Sequence, residues 1–391
     1  MLKNVLCAML ALVLLVPVNL KSAAESDTFD TDFISYISSI VPDDNFVASP
    51  LSFRAALLLA LEGAAGETET QLLHMLGFDS KAAAEKWYAC VEESIKAFDD
   101  YAAPDTFWDK LSPQRVYRIL NSVWVNLDLS GEFRNEYAQA VQKKYSAEIR
   151  SERAANITNA VNDWCGKATG GLIPKIADDL SANTSALVNA VYLKSAWATA
   201  FEEYFTSPKE FTCADGSVTT KLTMKAKDRY RYYEDDKTKL VVLHIEGGLD
   251  FVAVLGDDSD WMDKYAAAQY DYVDLWLPKL DTESTFGADM LLGFLKECGA
   301  VNAYDPLKAD FSVMSDSPWF IESIIQKARI KTDENGLEAA AVTAVLTDGA
   351  VAVDAPEPVY RIFHADRPFR YYITAASSAA PLVLFAGQEV K

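Results

Sequence analysis

Hydrophobic residues in the first hundred positions recur at helical spacing. Phe29 and Phe33 fall four residues apart, as on one face of a helix. Ser49 and Pro50 then supply an N-cap and a first-turn proline before a long apolar run, and the segment from Thr68 to Gln71 has the spacing of a capping box. The amino-terminal third is therefore predicted to be mostly helical, with helices over residues 29–37, 50–61, 68–77 and 81–98.

Patterns typical of β-strands follow from residue 116 onward. Residues 116–125 are rich in β-branched and aromatic side chains, and residues 186–197 form a long apolar run typical of a strand buried on both faces. Neither an internal repeat nor a shift in composition marks a domain boundary. The chain is therefore predicted to be one α+β domain over residues 25–391. Further strands are predicted over 229–233, 240–245, 251–255, 272–277, 319–331, 371–375 and 382–386, and further helices over 132–145, 154–167, 260–269 and 288–297.

The first 24 residues have the layout of a secretory signal peptide. Lys3 precedes the apolar run 5–16, Pro17 breaks that run, and the small residues 22–24 follow. The apolar run is too short to span a bilayer comfortably, and a buried N-terminal helix is the alternative interpretation. We expect a secreted, extracellular protein with no membrane association.

The balance of charges excludes one class of partner. Acidic residues outnumber basic ones by 57 to 36, so the formal net charge is −21, and loss of the signal segment with its two lysines lowers it to −23. Proteins that bind duplexes or anionic membranes concentrate Lys and Arg, so no nucleic acid is expected as a partner.

The residues that support most catalytic mechanisms are scarce. No zinc, nucleophile-elbow or nucleotide-binding motif occurs, and the three histidines are His74, His244 and His364. Acidic residues are too abundant for any pair of them to be informative. We therefore predict that the protein is not an enzyme and that it uses no metal and no other cofactor.

The cysteines of the predicted mature chain are far apart and show no paired spacing. They are Cys90, Cys165, Cys213 and Cys298. This pattern indicates neither a zinc site nor a dense disulfide framework. Four unpaired thiols are expected, and up to two disulfides are the open alternative.

One segment near the carboxyl terminus is ambiguous by local propensity. Residues 333–343 read DENGLEAAAVT, and an acidic start followed by alanines favours a surface helix. Gly336 argues against a helix, as does the small, acidic, turn-rich stretch 347–356 that follows. An exposed loop is the alternative prediction.

The sequence around this segment resembles the reactive-loop hinge of the serpin family. The resemblance continues in order from Asn45 to Lys391, so it covers nearly the whole predicted mature chain. It is carried by NFVASPLSFRAALLLALEGAAGETETQLLHMLGF, LNSVWVN, VNDWCGKATGGLIPKI, LVNAVYLKSAWATAFEEYFT, ADFS, QKARIKTDENGLEAAAVT, FHADRPF and LVLFAGQEV.

The resemblance implies a serpin fold, with helices packed on a large mixed central sheet, two smaller sheets and an exposed reactive loop over about 334–360. It also implies suicide-substrate inhibition: a serine protease cuts the loop, remains attached as its acyl-enzyme, and is trapped when the loop inserts into the central sheet. The hinge residues so implied are Glu334, Gly336, Leu337, Glu338, Ala339, Ala340, Ala341, Val342 and Thr343.

The family's usual spacing from hinge Glu334 places the reactive bond between Ala350 and Val351. The loop contains no Lys or Arg from 337 to 360, and the residues around the bond are small and apolar. An elastase-like or subtilisin-like target is therefore expected. Cleavage at Val351-Ala352 or at Val353-Asp354 is the open alternative.

The resemblance also places a sheet-opening region in the chain, with the residues Ser49, Ser52, Asn189, Gln326 and Trp197. Three positions depart from the family's pattern. Leu337 replaces a usual Thr or Ser, which suggests slower insertion, Gln326 replaces a His, and Ser195 replaces a Gly. An amide at Gln326 can donate and accept, so we expect a polar network there that does not respond to pH.

Two other function classes remain open. A non-inhibitory, serpin-like carrier, storage or chaperone protein is the principal alternative, which Leu337 mildly favours and the small residues 339–341 oppose. A secreted hydrolase has no recognisable catalytic residues. We expect a monomer whose partner is the target protease, and no heparin-type polyanion, because the chain is acidic and no basic helix is evident.

Overall fold

The computed structural model describes residues 28–100, 116–337, 358–375 and 382–391. The predicted signal segment and residues 338–357 of the predicted loop lie outside these ranges. The helices are α1 (Phe29–Ile40), α2 (Pro50–Gly63), α3 (Gly66–Leu76), α4 (Lys81–Asp100), α5 (Asn135–Tyr145), α6 (Ala154–Ala168), α7 (Trp261–Ala267) and α8 (Ala288–Glu297). The strands are β1 (Phe46–Ala48), β2 (Val116–Asn126), β3 (Glu148–Glu152), β4 (Ser185–Ala196), β5 (Ser207–Thr212), β6 (Val218–Glu234), β7 (Thr238–Ile245), β8 (Leu249–Gly256), β9 (Gln269–Pro278), β10 (Asp281–Phe286), β11 (Ile324–Lys331), β12 (Gly336–Leu337), β13 (Arg361–His364), β14 (Phe369–Ala375) and β15 (Leu382–Glu389).

The strands form two sheets. One has the order β10-β11-β4-β2-β3, with β12 paired to β4, and it is mixed because β11 runs parallel to β4 and β2 parallel to β3. The other has the order β1-β15-β14-β8-β7-β6-β9-β13, with β5 paired to β6. The two smaller sheets that the resemblance implied are joined into this one ladder, because the 17-residue β6 pairs with β9 along most of its length and also with β5 and β7. The α+β class is confirmed.

Helix α2 anchors the structure behind both sheets. All but one of its 14 residues are buried, as expected for a helix that is apolar all round. The Ser49 hydroxyl accepts a hydrogen bond from the Ser52 amide at 3.2 Å, so the predicted N-cap is confirmed. The helix contacts β15, α5, β4 and β2, and this position brings its first turn under the mixed sheet.

Several predicted boundaries differ from the structure for identifiable reasons. Helix α3 begins at Gly66, since the Thr68 hydroxyl accepts from the Asp310 amide at 3.0 Å instead of capping the helix. Strand β11 begins at Ile324 and not at 319, since the Ile321 amide bonds to the Ala303 carbonyl outside any ladder. The predicted burial of the long 186–197 strand on both faces is confirmed by β4. The strands that sequence reasoning missed are β1, β3, β5, β10, β12 and β13.

The four described cysteines are all free thiols. The sequence had left up to two disulfides open, and the structure has none among these four residues. Burial raises the pKa of the Cys165 thiol to about 12 and that of Cys298 to about 11. Both thiols are therefore protonated, and unreactive as nucleophiles, at neutral pH. Among the described residues, no helix is long and apolar enough to cross a membrane.

Candidate functional site: the hinge and the sheet opening

The mixed sheet contains a seam whose two strands separate at one end. Strands β4 and β11 pair in parallel from Leu187 with Ile324 to Val191 with Ala328, and within the described chain their ladder ends there. Beyond it, β4 stays paired to β2 as far as Lys194 and β11 stays paired to β10 as far as Lys331, while the last two residues of β4 pair with β12. The inner edges of both strands are therefore open over several residues, which is the space that a further strand needs.

A tight turn begins the hinge directly after β11. The Asp333 carboxylate accepts hydrogen bonds from the amides of Asn335 at 2.7 Å and Gly336 at 3.2 Å. The Asp333 amide donates to the Gly336 carbonyl at 2.9 Å, which closes the turn. An aspartate that bonds its own backbone in this way is a common turn former. The acidic start of the ambiguous segment therefore forms a turn and not the first turn of a helix.

Gly336 is required at its position for two independent reasons. Its φ angle is +154°, which side-chain-bearing residues rarely adopt. A Cβ atom at this position would lie 2.2 Å from the Ser195 carbonyl oxygen and 2.6 Å from the Ala196 Cα. The chain can thus approach β4 closely only because residue 336 has no side chain.

Leu337 already occupies the mouth of the seam in the intact chain. It pairs antiparallel with Ser195 of β4 on one side and bridges to Thr332 on the other. Its side chain is only 1% exposed and belongs to the main hydrophobic core. Leu337 therefore ends the two-residue strand β12 in the mouth of the seam, and its bulk is already accommodated there.

An ion pair holds the turn to the neighbouring sheet. The Glu334 carboxylate lies 2.7 Å from the Lys279 ammonium, just beyond the end of β9. Burial would raise the pKa of Glu334, but the bond from the Lys279 ammonium helps to outweigh burial, and the pKa lies below its usual value. The carboxylate is therefore ionised at neutral pH. The Glu334 carbonyl also accepts from the Phe201 amide at 2.8 Å, so both the backbone and the side chain are fixed.

Trp197 fastens the same turn from the end of β4. Its indole Nε1 donates to the Asp333 carbonyl at 2.8 Å, and its amide donates to the Asn335 carbonyl at 2.9 Å. The ring packs edge-on against Phe251 and Phe201. The sequence assigned Trp197 to the sheet-opening region, and the structure places it at the open end of the seam, beside the hinge turn. Trp197 lies eight positions after Asn189 along the chain, which is roughly 26 Å of strand.

The other four predicted residues of the sheet-opening region lie together beneath the closed part of the seam. The Gln326 amide donates to the Asn189 Oδ1 at 2.9 Å and to the Ser49 carbonyl at 2.9 Å, while its Oε1 accepts from the Ser49 amide at 3.2 Å. Asn189 donates to the Ser52 hydroxyl at 2.6 Å. All four residues are fully buried. The polar groups thus connect β4, β11 and the first turn of α2 into one network.

Sequence reasoning missed two members of this network. Asn189 Nδ2 also donates to the Asn121 side chain of β2 at 2.7 Å, and the Ser49 hydroxyl donates to the Leu384 carbonyl of β15 at 2.5 Å. Asn121 lies in the motif LNSVWVN, where a polar residue in an apolar strand is the available signal. Leu384 contributes only its backbone and carries no such signal.

Ser195 has a structural explanation that the sequence did not provide. Its side chain is buried, and the hydroxyl donates to the Glu246 carbonyl at 3.1 Å. The Glu246 amide in turn donates to the Ala196 carbonyl at 2.9 Å. These bonds tie the end of β4 to the end of β7, directly beside Leu337.

The remaining predicted site residues lie outside the described residues. They are the hinge positions Glu338, Ala339, Ala340, Ala341, Val342 and Thr343 and the proposed reactive bond between Ala350 and Val351. Their roles stay predictions.

The mixed sheet is open at one end of the seam between β4 and β11, and Leu337 pairs with β4 in this opening. A sheet with this geometry can accept another strand. The family assignment agrees with this geometry. The chain belongs to the serpin family, since the family model described as "Serpin (serine protease inhibitor)" matches residues 24–391.

Individual relatives are distant but similar over most of their length. Serpin-Z2B of Triticum aestivum is 30% identical over 89% of this chain and 90% of its own, and human plasminogen activator inhibitor 2 is 24% identical over 88% and 94%. Among solved structures, the native thermophilic serpin tengpin has a TM-score of 0.77, 25% identity and 93% coverage of both chains. A thyroxine-binding globulin in complex with thyroxine has a TM-score of 0.76 at 22% identity, over 93% of this chain and 98% of its own, and it shares the fold. Most members of the family inhibit proteases and do not act as enzymes, but the family also includes non-inhibitory proteins, of which this globulin is one.

Proposed function

We propose that this protein is a secreted suicide-substrate inhibitor of serine proteases that cleave after small apolar residues. The observation that carries the proposal is Leu337, which already forms a strand bridge on both sides at the mouth of the open seam. Insertion of residues 338–350 after cleavage would extend this strand. At roughly 0.5–1.5 kcal/mol per net hydrogen bond, the gain is on the order of 10 kcal/mol, comparable with the stability of a whole domain.

The chemistry of the loop supports the proposed class of target. No Lys or Arg occurs between 337 and 360, so a trypsin-like pocket has no side chain to bind. Gly349, Ala350 and Val351 suit a shallow apolar pocket. The protease provides the nucleophile and forms the acyl bond to the Ala350 carbonyl, and the inhibitor provides only the substrate and the driving force of insertion.

The deciding experiment mixes the protein lacking residues 1–24 with an elastase-like enzyme and analyses the products on a denaturing gel. A covalent band of the combined mass is expected, together with a released fragment that begins at Val351. The same enzyme blocked at its catalytic serine is the control and should give no band. Clean cleavage with fully active protease left over would show that the chain is a substrate and contradict the proposal.

Two matched loop variants test insertion directly. Side chains alternate across a strand, so residue 341 would face the same buried side as Leu337 while residue 340 faces solvent. Ala341→Arg should turn the inhibitor into a substrate, because insertion would bury an unpaired charge. Ala340→Arg should leave inhibition within about twofold. Equal inhibition by both variants would contradict the insertion mechanism.

A non-inhibitory carrier is the second candidate, and one observation favours it. A large apolar side chain at residue 337 gives the uncut hinge a stable, buried position. If this position holds the hinge in place after the loop is cut, the loop would not insert. The chain would then be cleaved without trapping the protease. The denaturing gel distinguishes the two candidates.

A further inference from the structure

Strand β6 carries a row of basic side chains on one face, although the whole chain is strongly acidic. Lys225, Lys227, Arg229 and Arg231 are two residues apart, so their side chains point to the same side of the sheet. The row extends over roughly 20 Å of strand. The acidic net charge of the chain therefore conceals a local surface of opposite sign.

Aromatic side chains of neighbouring strands lie among these basic groups. Arg229 pairs in register with Tyr272 of β9, and its guanidinium lies 5.8 Å from the Tyr272 ring centre. The Lys227 ammonium lies 5.2 Å from the ring of Tyr360, which itself packs edge-on against Tyr272. Ile362 of β13 adds an exposed apolar side chain, 54% accessible, to the same surface. We call this surface the basic face and define it by Lys225, Lys227, Arg229, Tyr272, Tyr360 and Ile362.

The positive charges of the basic face are only partly neutralised within the protein. Lys227 lies 3.5 Å from the Asp274 carboxylate. Over the described ranges, no carboxylate lies within salt-bridge distance of Lys225 or Arg229, nor of Lys209 beside them. The Lys209 and Lys225 ammonium groups both lie over the Trp276 ring, at 4.6 and 5.1 Å. Burial and the neighbouring Lys209 lower the pKa of Lys225, against the opposing effect of Asp274.

The basic face continues directly from the end of the predicted loop. Val359 is 89% exposed, and Tyr360 leads into β13, the last strand of its sheet. Nine residues connect Val351 to Tyr360, a span of at most about 30 Å. A protease domain of about 200 residues is roughly 40 Å across. An enzyme engaged at the reactive bond is therefore large enough to cover the basic face.

We propose that the basic face is a secondary docking surface for the protease that attacks the loop, and that it contacts an acidic, partly apolar patch outside the protease's active site. This inference rests on the proposed function. Tyrosine and arginine side chains, here Tyr272, Tyr360 and Arg229, are enriched in protein interfaces. A sulfated polyanion is less well matched, because the apolar Val359 and Ile362 would not contribute to its binding.

The test compares two double charge reversals in the protein lacking residues 1–24. Lys227→Glu with Arg229→Glu alters the basic face, while Lys143→Glu with Lys167→Glu places the same charge change on exposed positions of α5 and α6. An acidic subtilisin-like protease is the probe, and the measurement is the second-order rate constant of covalent complex formation at several salt concentrations. The basic-face variant should associate about tenfold more slowly at 0.05 M salt, with a gap that narrows as salt rises. The control variant should stay within about twofold of wild type. Both variants should convert the same fraction of cleaved inhibitor into complex.

A third variant examines the apolar part of the surface. Ile362→Asp should also slow association, and this loss should persist at high salt. Covalent complex formation at equal rates by wild type and basic-face variant would overturn this inference and leave the proposed function intact. Absence of any covalent complex would overturn both. If the basic-face variant forms the covalent complex at the wild-type rate but no longer binds dextran sulfate, the basic face is assigned to a polyanion. That result would also overturn the inference.

Discussion

The two ends of the seam between β4 and β11 are held by different forces. At the closed end, Gln326 and Asn189 join the strands through buried side-chain hydrogen bonds. At the open end, Leu337 and its tight turn stand between the strands, fixed by backbone pairing, apolar burial and the ion pair of Glu334 with Lys279. Hydrogen bonds between side chains demand one geometry. Apolar burial is not directional, so another apolar side chain of similar size can take the place of the first. The closed end is therefore suited to hold register and the open end to admit more chain.

The largest effect on this comparison is expected from Gly336→Ala at the open end. The new Cβ would overlap the Ser195 carbonyl, and the φ of +154° would be strained, so Leu337 must leave its position or β4 must move. We expect a loss of about 3 kcal/mol or more in the free energy of unfolding, measured by urea titration. Gly248→Ala is the control, with φ +81° and open space around the Cβ, and should cost about 1 kcal/mol. Equal losses would mean that the close approach to β4 is unimportant.

Gln326→Leu tests the closed end and should have the next largest effect. The substitution removes the Gln326 side-chain amide, so the buried Asn189 Oδ1 and the buried Ser49 backbone lose their hydrogen-bond partner. Each unsatisfied group costs about 1–3 kcal/mol, so we expect a loss of about 3 kcal/mol in the same titration. Gln269→Leu at the exposed start of β9 should change stability by less than about 0.5 kcal/mol. A Gln326→Leu protein as stable as wild type would show that the network does not hold the seam.

Leu337→Ala separates apolar burial from backbone pairing at the hinge. The backbone bridges to Ser195 and Thr332 can persist, but most of the buried side chain is lost. We expect a loss of about 2–3 kcal/mol, again from the urea midpoint. Leu222→Ala is the matched control, because that side chain is 53% exposed, and should be nearly neutral. If both variants behave alike, the side chain of Leu337 does not stabilise the uncut hinge.

The smallest effect is expected from Lys279→Met, which removes the partner of Glu334. The loss at pH 7 should be about 1 kcal/mol, since Lys279 is only partly buried. The folded protein lowers the pKa of Glu334, so the ion pair contributes fully above the ordinary carboxyl pKa near 4.3. Its contribution falls as the pH drops through the lowered pKa. Unfolding midpoints of wild type and variant should therefore converge as the pH falls below the ordinary carboxyl pKa, and a gap that stays constant while the carboxyl group is titrated would contradict the assignment.

The accuracy of the sequence-based prediction differed between these regions for physical reasons. The polar network could be foreseen because the positions of Ser49, Ser52, Asn189 and Gln326 match the pattern of the family that the sequence resembles. The same pattern assigned Trp197 to the sheet-opening region, but its bond to the Asp333 carbonyl, 136 positions away in sequence, has no local signal. Short strands such as β13 were missed because their stability comes from pairing with β9 and not from their own residue pattern.

By itself, the sequence determined the α+β class, the buried strand β4, the capped start of α2 and the family to which the chain belongs. These features depend on local patterns of apolar residues and on motifs in a fixed order, which are properties of the chain alone. Only the tertiary structure decided that residues 333–336 form a turn, that Leu337 occupies the seam and that the basic side chains of β6 meet the aromatic side chains of β9 and β13. The reason is that local propensity favours a helix for the segment that begins at Asp333, while contacts between distant strands supply more free energy and determine the conformation of residues 333–337.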